Sequence, residues 1–131
     1  MQDFHKLLVW QRAHELVLEA YRATNRLPER RYPGLSAQLR RSATSIPTNI
    51  AEGCGHDTQR EFARFLQIAL ASANELQYHL QLSHDLELMP GPEYAKLDAR
   101  TDQVKQMLGA LLKKVRAQPF KLPPKPSTPT P

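Results

Sequence analysis

Cysteine is almost absent: Cys54 stands alone among 131 residues, so no intramolecular disulfide can staple the chain. Stability must come from a packed core, and this length suits a single one. Long hydrophobic runs are also missing. Arg, Glu, Gln or His interrupts every apolar stretch well short of the ~20 residues a helix needs to cross a bilayer. The opening M-Q-D-F-H-K lacks the basic-then-apolar layout of a signal peptide. These absences point to a cytoplasmic protein with no membrane partner.

Sequence signatures of catalysis are equally scarce. There is no G-x-S-x-G, no Walker loop and no G-x-G-x-x-G, and nothing indicates a cofactor or a small-molecule substrate. His5, His14, His79 and His84 lie apart without metal-ligand spacing. Cys54-Gly55-His56 is the nearest approach to a ligand or nucleophile pair, but adjacent residues in a glycine turn rarely converge on one atom. A di-iron bundle needs Glu-x-x-His on two helices. Neither Glu75-L-Q-Y-His79 nor His14-Glu15 has that spacing. The reading is no metal, no catalytic residue and no enzyme.

Helical periodicity is what the chain has. Val9, Trp10, Ala13, Leu16, Val17, Ala20, Tyr21, Thr24 and Leu27 recur at helical spacing over residues 8–27, before Pro28. Leu35, Leu39, Ser42/Ala43, Ile46 and Ile50 mark a second helix ending at Gly53-Cys54-Gly55, where glycine suits a left-handed cap. Thr58-Gln-Arg-Glu61 has capping-box spacing and starts a long third helix, with Phe62, Phe65, Leu66, Ala69, Leu70, Ala73, Leu76, Leu80 and Leu86 as its apolar positions, that M-P-G-P at 89–92 breaks. Tyr94, Leu97, Thr101, Val104, Leu108, Leu111 and Val115 form a coiled-coil-like seam on a fourth. Four amphipathic helices with short turns predict an all-α, antiparallel up-and-down four-helix bundle over residues 1–117. Residues 118–131, Q-P-F-K-L-P-P-K-P-S-T-P-T-P, read as a Pro-rich extended or disordered tail.

The net charge is +5, and residues 1–64 hold ten Lys/Arg against seven Asp/Glu, whereas residues 65–118 balance six against six. Arginine dominates the basic half, and its planar fork suits bidentate phosphate contacts. Arg22, Arg26, Arg30, Arg31, Arg40, Arg41, Arg60 and Arg64 are therefore the candidate nucleic-acid contacts, to RNA or DNA phosphates. Arg60 and Arg64 gain weight from lying at a helix N-terminus, where backbone N–H groups and the dipole favour an anion. The plainer alternative is a solvated face, with Glu15 and Glu19 pairing with Arg12 and Arg22.

In R40-R-S-A-T-S-I-P-T-N-I-A-E-G53, Pro47 removes one helical N–H and pushes on the Ala43 carbonyl, a defect of ~3 kcal/mol in a helix interior. Neighbouring Ser and Thr hydroxyls can compensate in part. Ala37, Thr44, Thr48 and Ala51 project away from the apolar face, with Arg41, Ser45 and Glu52 beside them. A solvated face favours Lys, Glu and Gln; small residues let another backbone approach. Ala37, Thr44, Ser45, Thr48, Asn49, Ala51 and Glu52 are thus the candidate subunit interface of a homo-oligomer.

S-I-P-T-N-I-A-E-G (45–53), with Q-L-R-R-S-A before it, E-F-A-R-F-L-Q-I-A (61–69) after it and F-H-K-L-L-V-W-Q-R-A-H-E-L (4–16), resembles a known family. It is the four-helix-bundle proteins encoded in intervening sequences of bacterial 23S ribosomal RNA genes. The resemblance covers about residues 4–88 and implies a ring-shaped homo-oligomer, notably a pentamer, with no assigned catalytic activity. A relative, the accessory variability determinant of diversity-generating retroelements, binds nucleic acid and a reverse transcriptase through a basic surface. The chain departs from relatives at L-A-S-A-N-E-L (70–76), where they often carry a glycine-serine-leucine run. The leading expectation is a non-enzymatic homo-oligomer binding nucleic acid through a basic surface; the rival is a protein-interaction scaffold with a protein partner.

Overall fold

The computed structural model describes residues 2–118. A 3₁₀ turn at Phe4–Lys6 leads into four helices, α1 (Leu8–Thr24), α2 (Leu35–Cys54), α3 (Gln59–Asp85) and α4 (Gly91–Ala117). No strand occurs among the described residues. The expected tail lies, apart from Gln118, outside them.

Cross-helix bonds fix the direction of every neighbouring pair. Arg40 reaches Thr24 while Thr44 meets Tyr21, and Gln77 meets Asp102 while Gln67 meets Arg116. Likewise Ser42 meets His79 while Ser45 meets Ser72, and Glu19 pairs with Arg100 while Arg26 pairs with Glu93. In each pair one number rises as the other falls, so all neighbours are antiparallel. The helices follow one another round the bundle, and only sequence neighbours and the α1–α4 pair bring their backbones close.

The predicted stripes form the core. Ala13, Leu16, Ala20, Leu39, Ala43, Ile46, Ile50, Leu66, Ala69, Ala73, Leu76, Leu80, Val104 and Leu108 are all buried. Tyr21, expected within the first stripe, is instead 42% exposed. On α4 the seam turns at its end: Leu112 is buried where Leu111 was expected, and Leu111 is half-buried. A 3.6-residue period drifts off a strict heptad, and by the last two turns the drift selects the neighbouring leucine.

Helix ends depart further from expectation. Gly53 lies inside α2, and Gly55 is right-handed with φ −80°. Gly53 is needed for space instead: a Cβ there would sit 3.0 Å from Phe62 Cδ1 and 3.0 Å from Phe65 Cβ. We expect Gly53→Ala to cost about 1–3 kcal/mol by overpacking, read as a lower urea midpoint. An unchanged midpoint would mean that α2 and α3 separate freely at this point.

α3 stops at Asp85, short of M-P-G-P. Glu87 takes φ 63°, and the Leu88 N–H bonds the Ser83 carbonyl. That is a Schellman ending built on glutamate instead of glycine, which is why the sequence hid it. Pro47 is buried within a continuous α2. The hydroxyls of Thr44 and Thr48 bond the Arg40 and Thr44 carbonyls at 2.7 and 2.8 Å, and Asn49 bonds the Ser45 carbonyl at 2.8 Å. These side chains bind carbonyls on either side of Ala43.

Candidate nucleic-acid interface

The antiparallel fold divides the eight candidate arginines between opposite ends of the bundle. Arg22, Arg26, Arg30, Arg31, Arg40 and Arg41 gather where α1 meets α2; Arg60 and Arg64 lie at the start of α3. Thirteen helical steps from Arg41 to Cys54 already span about 20 Å at the usual rise.

At the first end one of the six arginines is ion-paired among the described residues. Arg26 pairs with Glu93 at 3.1 Å, and Arg22 shares a cleft with Glu19, Glu93 and Lys96. Glu19 pairs with Arg100, not with Arg22, while Arg12 does pair with Glu15 at 3.2 Å. Arg40 is a clamp between helices: Nε donates to Thr24 Oγ1 at 2.7 Å, Nη2 donates to Asn25 Oδ1 at 2.9 Å, and the guanidinium lies 5.0 Å from the Tyr21 ring centre. Arg30, Arg31 and Arg41 are exposed, with Arg31 6.0 Å from the Tyr32 ring.

The second end gathers cations that lie far apart in sequence. Arg60, Arg64 and Arg116 line one groove of about 960 Å³ between the start of α3 and the end of α4. Arg116 Nη2 donates to Gln67 Oε1 at 3.2 Å, and Gln59 donates to Gln118 at 2.8 Å. Lys113 and Lys114 precede Arg116 on the exposed side of α4, and no carboxylate follows Asp102 in the chain. Arg64 pairs with Glu61 at 3.1 Å, and that hydrogen bond holds the Glu61 carboxyl below its ordinary range. Arg60 has no ion pair among the described residues.

Sequence reasoning missed Arg116, Lys113 and Lys114 because a charge count over residues 65–118 averages acids and bases that the fold keeps apart. All six acids of that window lie at or before Asp102, and three of its six bases lie at 113–116. The usable signal was the position of the last carboxylate.

On the candidate subunit interface, Ala37, Thr48 and Glu52 are exposed, and Thr44 and Ala51 are half-buried. Ser45 and Asn49 turn inward: Ser45 meets Ser72 at 2.7 Å, and Asn49 reaches Ser45 Oγ at 3.0 Å. Beside the stripe, Trp10, His14 and Val17 of α1 face Thr44, Pro47 and Thr48 across a groove of about 640 Å³. The Trp10 and His14 rings stack 5.1 Å apart.

The reactive side chains are enclosed. Burial pushes the Cys54 thiol up, leaving it protonated and weakly nucleophilic. Ser42 and His79 meet at 3.2 Å, but both are buried and the Ser42 hydroxyl donates to the Leu39 carbonyl. Among the described residues, no three His, Cys, Asp or Glu side chains gather to hold a metal, and no helix is long and apolar enough to cross a membrane.

Residues 5–110 match the model of a protein family described as 23S rRNA-intervening sequence protein. A crystal structure from Bacteroides thetaiotaomicron, of a protein with unknown function from the S23 ribosomal protein family, shares 27% identity with the chain. It superposes with a TM-score of 0.76 over 81% of this chain and 96% of that one. None of the curated proteins matches.

Proposed function

The chain belongs to the 23S rRNA-intervening sequence protein family, and from that premise we propose a non-enzymatic, self-associating helical bundle that holds nucleic-acid phosphates in its α3–α4 groove. One observation carries the reading: Arg60, Arg64 and Arg116 line a single groove whose α4 wall carries no carboxylate beyond Asp102. Guanidinium forks match phosphate oxygens in pairs. Cations at the start of α3 also oppose the helix dipole. Glu61 answers Arg64 alone, and a bound polyanion relieves the rest. The family's name refers to 23S ribosomal RNA, which makes a structured RNA the first ligand to test.

Self-association is supported by the open α1–α2 groove and by the small side chains of Thr48 and Ala51 that line it. Resemblance favours a five-membered ring. The same apolar groove is the feature that favours the competing reading, a scaffold seating a protein partner.

Filter binding of a structured RNA across a salt series tests the assignment. Three phosphate contacts give a slope of about −2 to −3 in log K against log salt. Retention no better than that of a neutral control protein at low salt removes the nucleic-acid role.

A further inference from the structure

Phosphate binding alone leaves the floor of the α3–α4 groove unused. Ala63 and Val115 form its base, and Ile68, 37% exposed, stands open to it as one of the few large apolar side chains the bundle does not cover. Around this floor runs the rim of Arg60, Arg64 and Arg116. The Arg64 guanidinium lies 4.4 Å from the Phe65 ring centre, and Arg116 is held by Gln67. At about 960 Å³ the groove lies near the top of the ~300–1,000 Å³ range of small-molecule sites.

A double helix cannot use such a floor. Its phosphates form the outer ridge and its bases are stacked inward, so it meets the arginines and leaves Ile68 wet. An unpaired strand offers both chemistries at once: phosphates for the guanidinium forks, and flat bases free to lie on apolar side chains and guanidinium planes. Resting on the phosphate-binding reading above, the geometry points to single-stranded nucleic acid as the ligand of this groove, with unpaired bases seated over Ile68 and phosphates held by Arg60, Arg64 and Arg116.

Fluorescence anisotropy with the full chain tests this, using a single-stranded RNA, a single-stranded DNA and a DNA duplex of equal length at one salt concentration. Seating one base is worth at least about fivefold, so both single strands bind at least that much tighter than the duplex. The tighter of the two identifies the sugar the site prefers. Ile68→Ala removes most of this gap and leaves duplex affinity unchanged, with a thermal melt near wild type. A duplex that binds as tightly as the strands overturns the inference while leaving the phosphate reading intact. So does an Ile68→Ala variant that weakens all three probes equally, or equal displacement of the strand by polyglutamate. Binding of none of the three probes fails the underlying reading itself. Loss of an oligomer on Ile68→Ala, seen by light scattering, assigns the groove to a second copy and overturns the inference.

Discussion

Changing Arg60, Arg64 and Arg116 together to alanine is expected to lower RNA affinity by about 150-fold at low salt, taking ~1 kcal/mol for each guanidinium withdrawn from a phosphate. The salt slope should fall by about 2–3 units, since each phosphate left without its cation removes ~0.7–0.9. Folding should persist, because none of the three arginines lies in the core. Arg40→Ala is the informative control. Its Nε and Nη2 bind Thr24 and Asn25 and its guanidinium covers Tyr21. Deleting that clamp should cost about 1–2 kcal/mol of stability with RNA affinity unchanged. The opposite pattern, a triple variant that binds RNA normally and an Arg40→Ala variant that binds it weakly, would move RNA binding to the α1–α2 end of the bundle.

Thr48→Lys should break the oligomer. Thr48 is exposed on α2 beside the groove of Trp10, Val17 and Pro47, and its hydroxyl is already used on the Thr44 carbonyl. A lysine there must bury an ammonium against an apolar neighbour or push it away. A penalty of ~3 kcal/mol weakens association about 150-fold, so light scattering at micromolar concentration should fall to the mass of one chain. Ala51→Glu should act in the same direction. A wild-type chain that is already monomeric under these conditions would refute the interface outright.

Much of the fold was legible because burial follows periodicity. Leu16, Leu39, Ile46, Leu66 and Leu108 recur at helical spacing, and each is fully or almost fully buried. The helix ends were less legible because local chemistry there admits more than one answer. Glu87 takes a left-handed conformation that the sequence would assign to glycine. Gly53, placed as a cap, serves instead to let Phe62 and Phe65 approach α2. The candidate site was half legible. Arg60 and Arg64 are marked by their place at a helix start, but Arg116 joins them only once α3 and α4 run antiparallel. Charge counted along a chain cannot report that meeting. Conversely, Arg40 looks like a free cation in sequence, and only Thr24, Asn25 and Tyr21 on the neighbouring helix and turn reveal its structural use.

The most direct measurement is to bind a photoreactive single-stranded RNA to the full chain, irradiate, and map the crosslinked peptides by mass spectrometry. Crosslinks within residues 59–68 and 112–118, on the two walls of the α3–α4 groove, are the predicted result. Crosslinks confined to residues 22–41, with none on α3 or α4, would contradict it.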